Sequence, residues 1–224
     1  MTLRLGYALV AIAVGLIGLS LNSYVIGGTM FATPDNPVAR SFGNFLIYFW
    51  SYLTNLSNLG LLLIYVADLS GARWLGWFRH PVTKTGMAGL MMLVMFFYHF
   101  MLAPTLPAVP WQIDVSNVLL HYITPLMILG WWLAFTPHGP LRYRDVPMML
   151  APGLAYVGWV LVRGPIAGEY PYTILDPGFA LPGQPPGGYL AVASGVGVLV
   201  LLVVIFDLLL VFIDGLIARR RQPA

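Results

Sequence analysis

Long apolar runs separated by short polar joints dominate the chain. Each run reaches or approaches the about 20 residues that cross about 30 Å of hydrocarbon at about 1.5 Å per residue. The apolar side chains recur with a helical period, which disfavours the alternating strands of a membrane β-barrel. The pattern predicts an all-α, polytopic membrane helix bundle with six transmembrane helices. These are expected at residues 5–26, 42–67, 85–103, 115–135, 146–162 and 188–217.

The joints between the runs are rich in proline, glycine and charge, as at 33–37 and 136–140. The first run is too long for a signal peptide, lacks a small-residue cleavage site and is followed by further runs. No internal repeat, heptad pattern or second domain stands out. We therefore expect residues 1–224 to form a single transmembrane domain, with residues 218–224 as a basic cytoplasmic tail.

The distribution of basic residues predicts the orientation. Nine of the eleven Lys and Arg residues fall on one side of the predicted bundle, and only Arg40 and Arg163 fall on the other. Because cytoplasmic loops carry an excess of Lys and Arg, both termini are expected in the cytoplasm. An even number of crossings also requires the two termini to share a side.

Composition agrees with a membrane protein. Hydrophobic residues make up 59% of the chain and charged residues 8%, and there is no cysteine. A soluble domain is about a quarter charged, so the low charge excludes a water-soluble globule. The high apolar content excludes a disordered chain, and the absence of cysteine excludes a disulfide-stapled secreted domain. The net charge of +3, with scattered basic residues, disfavours nucleic-acid binding. Arg outnumbers Lys ten to one, a bias typical of GC-rich bacterial genomes, which favours the bacterial cytoplasmic membrane.

Polar side chains interrupt two of the apolar runs. Such groups are costly in lipid and must face the bundle interior or a wet cavity. At about 100° per residue, the polar residues of each helix share a face. On the second helix these are Asn44, Ser51, Thr54 and Asn58, and on the fourth they are Asp114, Asn117, His121 and Thr124.

Depth predicts which of these groups can meet. Thr54 lies 14 residues before Asp68, and His121 lies 15 residues before Thr136. Counted from these cytoplasmic helix ends, Thr54 and His121 lie within one helical turn of the same level. The two helices run in the same direction, and a bundle can place them side by side.

A hydroxyl and an imidazole at matched depth can form a nucleophile and its base. In that interpretation Thr54 attacks a carbonyl and His121 takes its proton. Asn117 would orient the ring, and Asn58 would donate to the oxyanion, a role worth about 3 kcal/mol. The alternative is structural, because Ser, Thr and Asn in membrane spans commonly hydrogen-bond neighbouring helices and a lone buried His often only packs.

Other polar residues are weaker candidates. Asp207 is expected about 10 Å nearer the cytoplasm than Thr54, so it suits a structural pairing or a helix-end role. His99 either borders a cavity or packs at the interface, and His80 and His138 are expected to be solvated in cytoplasmic joints. No His-x-x-x-His or acidic-histidine cluster occurs, so no metal site is predicted.

The longest external joint covers residues 163–187. A loop of this length in a compact protein usually caps something, although a solvated connector is the open alternative. Arg163 would hold a cap in place by pairing with Glu169 or Asp176. Aromatic residues such as Tyr170 would then lie at the membrane interface.

Three segments resemble a known family. Residues 48–58 (YFWSYLTNLSN) are similar to an aromatic-Thr-x-x-Ser-Asn segment of small bacterial six-helix membrane proteins. Residues 117–125 (NVLLHYITP) are similar to their Asn-x-x-x-His-x-x-x-Pro segment, and residues 156–176 resemble their Arg-Gly…Tyr-Pro-Tyr stretch. These bacterial proteins are relatives of the androgen-induced and androgen-dependent membrane proteins, and the similarity spans nearly the whole chain.

The resemblance implies an activity. The animal relatives are intramembrane threonine hydrolases that cleave fatty acid esters of hydroxy fatty acids with a Thr and a His. The matching positions are Thr54 and His121, the pair that depth also selects. One position departs from the bacterial pattern, which often has Asp before the fourth-helix Trp where this chain has Gly130 before Trp131. That position lies toward the cytoplasmic end, so the difference concerns local packing.

Three interpretations of the function remain open from the sequence. The first is a lipid ester hydrolase with Thr54 and His121 as catalytic residues, a lipid or fatty-acid ester as substrate, and no cofactor or metal. The second is a non-catalytic lipid-binding or transport protein, although the repeats and broken helices common in transporters are not evident. A scaffold with polar contacts between helices is a third reading. The residues expected to bind substrate or support the site are Asn58, Asn117, Ser51, Trp131, Arg163, Tyr170 and Asp176.

Overall fold

The computed structural model describes residues 2–32, 39–106 and 108–220, and this part of the chain is helical without strands. It contains eight α-helices of eight or more residues, which are numbered in chain order. They are α1 (Thr2–Gly27), α2 (Phe42–Phe49), α3 (Leu53–Ser70), α4 (Pro81–Phe97), α5 (Trp111–Val118), α6 (Thr124–Phe135), α7 (Ala151–Ala167) and α8 (Gly188–Arg220). Shorter helical turns lie between them, among them Val146–Met149 and Thr173–Leu175.

Six segments are long and apolar enough to cross a membrane, which confirms the predicted all-α polytopic bundle. They are Thr2–Met30, Leu53–Ser70, Pro81–Thr105, Trp111–Phe135, Tyr143–Ala167 and Gly188–Arg220. The protein is therefore a multi-pass integral membrane protein. Because the number of spans is even, residues 2 and 220 lie on one side, called here the terminal side, and Arg40 and Glu169 lie on the other, the loop side.

Helix α8 continues to Arg220 and so includes the first part of the expected basic tail. Residues 218–220 are helical, and residues 221–224 fall outside the described part of the chain. The joint at 33–37 also lies outside the described residues.

The second predicted run is not one continuous helix. Helix α2 ends at Phe49, and α3 begins at Leu53 after an extended Tyr52. Backbone carbonyls freed at the break find side-chain partners, since Asn55 Nδ2 donates to Phe49 O (2.8 Å) and the Tyr156 hydroxyl donates to Ser51 O (2.9 Å). A break inside a membrane is tolerated where the protein buries it and satisfies its polar groups.

Two π-helical turns lie at the same level of the bundle. One, Tyr98–Leu102, follows α4, and the other, Leu119–Ile123, joins α5 to α6 and contains His121. Helix α1 packs closely against the second turn. A Cβ at Gly18 would clash with the Leu120 side chain, and Gly18 O accepts a hydrogen bond from Ser116 (3.0 Å). π-turns in helices often occur at functional sites.

The terminal half of the bundle is held by a buried polar cluster around Asp68. Lys84 Nζ donates to both Asp68 oxygens (2.6 and 2.7 Å), and Trp131 Nε1 donates to Oδ2 (3.0 Å). Arg4 Nη2 lies 3.4 Å from the same oxygen. The cluster ties α1, α3, α4 and α6 together, and it places Trp131 in a structural position.

Two further polar residues differ from their predicted surroundings. His138 was expected to be solvated, but its side chain is fully buried and its Nδ1 lies 2.9 Å from Asp214 Oδ1. Asp207 forms no ion pair with the described residues. Its carboxyl instead packs closely against Gly89 of α4, where a Cβ would clash with it. Both residues are therefore part of helix packing.

Candidate functional site

The structure brings Thr54 and His121 together in the bundle interior. Thr54 lies in the first turn of α3, directly after the helix break, and its Oγ1 is 3.1 Å from His121 Nε2. Both residues are buried, with 7% and 9% of their surface exposed. The hydroxyl and the ring are thus shielded from bulk solvent. In the protein interior their hydrogen bond is stronger than it would be in water.

The hydrogen bonds fix the tautomer of the His121 ring. Nδ1 lies 3.1 Å from the backbone carbonyl of Asn117. Because a carbonyl oxygen only accepts, Nδ1 carries the proton and donates it, and Nε2 presents its lone pair to Thr54. The Thr54 hydroxyl therefore donates to Nε2, which is the arrangement of a nucleophile and its general base.

The expected role of the Asn117 side chain is corrected by this geometry. Asn117 does orient the ring, but through its backbone carbonyl. The contact depends on the helical path one turn before His121 and not on the amide. The amide side chain of Asn117, on which the prediction rested, takes no part in this hydrogen bond.

Asn58 also has a different role from the one expected. Its Nδ2 donates to the backbone carbonyls of Thr54 (2.8 Å) and Leu120 (3.2 Å). Both hydrogens of the amide are used, so Asn58 has no donor left for an oxyanion. It bridges α3 to the turn that carries His121 and thereby holds the two side chains at hydrogen-bond distance.

The start of α3 offers other donors near Thr54. Asn55 N and Leu56 N both reach Tyr52 O, whereas the helix itself provides no carbonyl for the N–H groups of Leu53 and Thr54. These two N–H groups lie at the positive end of the helix dipole. The Tyr172 hydroxyl faces the same groups: burial raises its pKa, and hydrogen bonding with the Thr54 side chain and with the backbone of Thr54 and Leu53 opposes that rise.

An apolar cavity of about 80 Å³ opens beside the dyad. Thr54 and His121 are among its walls, together with apolar side chains of α4, α7, α8 and the loop that follows α7. Its lining includes Leu90, Val94, Phe97, Val157, Leu199 and Val203. Trp131, expected to line this space, does not, because it lies deeper toward the terminal side in the Asp68 cluster.

The loop after α7 covers the cavity, as the capping alternative predicted. Its helical turn Thr173–Leu175 packs inward, with Leu175 only 2% exposed, and Tyr172, Ile174 and Leu175 all line the cavity. Tyr170 packs its ring against Gly164, where any Cβ would clash with it. This contact supports the loop, and Tyr170 itself does not line the cavity.

Two arginines hold the loop through one carboxylate. Arg163 donates from Nη2 to Glu169 Oε1 (2.5 Å) and from Nη1 to Glu169 O (3.1 Å). Arg40, which the sequence did not single out, forms a bidentate pair with Glu169 (2.7 and 2.9 Å). Asp176 is not a partner of Arg163; its Oδ1 accepts from Gly178 N (2.8 Å). The ion pairs join the segment just before α2 to the end of α7 and the loop that follows it.

The Glu169 ion pairs predict a specific acid sensitivity. Partial burial alone would raise the pKa of Glu169, but hydrogen bonds from Arg40 and Arg163 outweigh it and hold the pKa below its usual value. A lowered pKa means that Glu169 stabilises the fold above its unfolded-state pKa, and that this contribution is lost as pH falls through the folded-state pKa.

The measurement is the thermal midpoint of the wild type and of Glu169→Gln between pH 7 and pH 3. We expect the wild type to be more stable at pH 7 and the two curves to approach each other as pH falls below about 4.3, the ordinary pKa of a Glu side chain. A constant difference across this range would contradict the ion-pair account.

Among residues 2–32, 39–106 and 108–220, no group of three or more His, Asp or Glu side chains gathers. His99, a candidate cavity residue, contacts the Tyr122 hydroxyl with Nδ1 (3.0 Å) and does not line the cavity.

Comparison with known proteins does not assign the chain. No protein-family model matches it, and no curated protein or solved structure matches it at a significant level.

Proposed function

We propose that this protein is an intramembrane hydrolase that cleaves a lipid ester, with Thr54 as nucleophile and His121 as general base and acid. The observation that carries the proposal is the 3.1 Å contact between Thr54 Oγ1 and the unprotonated Nε2 of His121. We place the protein in the bacterial cytoplasmic membrane with both termini in the cytoplasm, as the distribution of Arg and Lys predicts.

The reaction proceeds in two halves. Thr54 Oγ1 attacks the ester carbonyl carbon while its proton moves to His121 Nε2. The tetrahedral intermediate collapses, the bond to the alcohol oxygen breaks, and Nε2 returns the proton to the leaving alcohol. A water molecule then attacks the acyl-Thr54 ester with His121 again as base, which releases the fatty acid and restores the hydroxyl. These steps call for no metal or organic cofactor.

The oxyanion of each tetrahedral intermediate needs hydrogen-bond donors. We assign this role to the backbone N–H groups of Leu53 and Thr54 at the start of α3, instead of to Asn58. They belong to the same turn as the nucleophile and lie at a helix N-terminus that favours negative charge. One such donor is worth about 3 kcal/mol of transition-state stabilisation.

The substrate is an amphipathic lipid ester. The part of its acyl chain next to the ester would lie in the apolar cavity between α4, α7 and α8, with the ester carbonyl at Thr54. The resemblance to the androgen-induced family favours a fatty acid ester of a hydroxy fatty acid. The cavity walls support this class because they offer almost only apolar side chains apart from the dyad and Tyr residues.

A direct consequence concerns Asn117. Because its backbone carbonyl orients His121, replacing Asn117 by Ala should change kcat by less than about threefold, or about 0.7 kcal/mol. The measurement is the steady-state rate of ester hydrolysis by the purified variant. A loss of more than about 100-fold in a folded protein would show that the amide side chain takes part.

A second candidate function is a non-catalytic lipid-binding or transport protein. The break between α2 and α3 favours it, since transporters often bind anionic groups at the N-terminus of a half-helix near the midplane. No local pattern in the sequence predicts this break.

One experiment separates the two functions. Purified protein in proteoliposomes is given fatty acid esters of hydroxy fatty acids and simple alkyl esters, and both product release and solute flux are followed. The hydrolase proposal predicts ester turnover without flux. Flux or stoichiometric lipid binding without turnover would favour the second candidate.

A further inference from the structure

His121 is stacked against an aromatic ring that sequence patterns did not single out. The Tyr98 and His121 ring centroids are 4.0 Å apart, with an angle of 20° between the planes. Tyr98 is buried, and it lies in one π-helical turn while His121 lies in the other. The two turns thus place the face of one ring on the face of the other.

The proposed reaction creates a charge at this stack. When His121 takes the proton of Thr54, the ring becomes an imidazolium inside the bundle, where an unpaired charge is costly. In a Ser-His-Asp triad a carboxylate stabilises this ion. Here Nδ1 faces only the carbonyl of Asn117.

Among the described residues, no carboxylate takes the place that the Asp has beside the His in a Ser-His-Asp triad. Within this part of the chain, no Asp or Glu forms a hydrogen bond or ion pair with His121. Asp114, on the same helix, lies seven residues earlier, about 10 Å along the axis. The other titratable groups around the stack are Tyr98 itself, Tyr122, whose ring lies edge-on to Tyr98, and His99, whose Nδ1 contacts the Tyr122 hydroxyl. Asp114 forms no hydrogen bond with His121, but its charge acts on the Tyr98 hydroxyl.

We propose that Tyr98 is a positioning residue that holds the His121 ring and stabilises its imidazolium form through the π-face, in place of a triad carboxylate. This inference rests on the proposed hydrolase function. A cation over the face of an aromatic ring is attracted by the ring quadrupole, more strongly where water is excluded. The stack also prevents rotation of the imidazole away from Thr54.

The test replaces Tyr98 by aromatic rings of nearly equal size and graded electron density. Tyr98→Phe should retain kcat within about threefold. Substitution with mono-, di- and trifluorinated phenylalanine should lower kcat stepwise, to about tenfold below Tyr98→Phe, with KM unchanged within about twofold. Tyr98→Leu should lower kcat by about 30-fold. Fluorinated phenylalanine at Phe100, an exposed ring in the same π-turn, is the matched control and should have no effect.

Constant kcat across the fluorinated series would overturn the proposal, as would a change in KM alone. A wild type without turnover would contradict the proposed function, and the inference is then tested by NMR of ¹⁵N-labelled histidine. At a fixed pH within the titration range, the protonated fraction of His121 should be smaller with trifluorophenylalanine at position 98 than with Phe. An equal fraction would overturn the cation–π role.

Discussion

Thr54→Ala and His121→Ala should each lower kcat for ester hydrolysis by at least about 10³-fold. Thr54→Ala removes the only atom that forms the proposed acyl intermediate, and His121→Ala leaves a hydroxyl with no base within hydrogen-bond distance. Because the two residues act as one unit, the double variant should lose little more activity than either single variant. The measurement is the steady-state hydrolysis of a fatty-acid ester by purified protein.

Thr124→Ala is the matched control. Thr124 is a buried threonine one turn after His121, and its hydroxyl donates to the backbone carbonyl of Leu120 (3.2 Å). This variant removes the same atoms from the same region and should retain most activity. The catalytic dyad is wrong if Thr54→Ala or His121→Ala keeps more than about a tenth of the wild-type rate and thus resembles the active control Thr124→Ala.

Asp68→Leu should destabilise the protein by about 3–5 kcal/mol. The substitution removes the carboxylate that pairs with Lys84, whose ammonium is almost fully buried, and it deprives Trp131 Nε1 of its acceptor. Breaking a buried pair on one side leaves an uncompensated charge, which costs more than the pair contributes. The measurement is reversible unfolding in mixed micelles.

Two companion variants separate the ion pair from loss of packing. The double variant Asp68→Leu with Lys84→Met removes both charges and should recover much of the lost stability. Arg4→Ala should cost less than about 1 kcal/mol, since the Arg4 side chain is 44% exposed and lies farther from Asp68. A double variant as unstable as Asp68→Leu would contradict the buried-charge explanation.

The positions of the spans followed from the sequence, because the length of an apolar run is fixed by the thickness of the hydrocarbon. The break at 50–52 did not. No Pro or Gly lies between residues 44 and 59 to mark it, and the break is stabilised by distant partners. Tyr156, 105 positions away, donates to Ser51 O, and such a contact has no signal in local periodicity.

The approach of Thr54 to His121 was predictable for a similar reason, since depth in a membrane can be counted along each helix. The rotation of each helix about its axis and the hydrogen bonds to backbone groups do not follow from such a count. Asn58 and Asn117 were placed near the dyad but given wrong hydrogen bonds, because a sequence does not distinguish an amide that bonds backbone carbonyls from one that faces a substrate. Tyr98 was missed because its stacking depends on two π-turns that shift the helical register.

The central claim is that Thr54 forms a covalent acyl intermediate. It is tested most directly by treating the protein with a fluorophosphonate that carries a long alkyl chain and locating the adduct by mass spectrometry of peptides. We predict a single adduct on the Thr54 Oγ1, abolished in Thr54→Ala and strongly slowed in His121→Ala. An adduct on another residue, or equal labelling of Thr54→Ala, would contradict the mechanism.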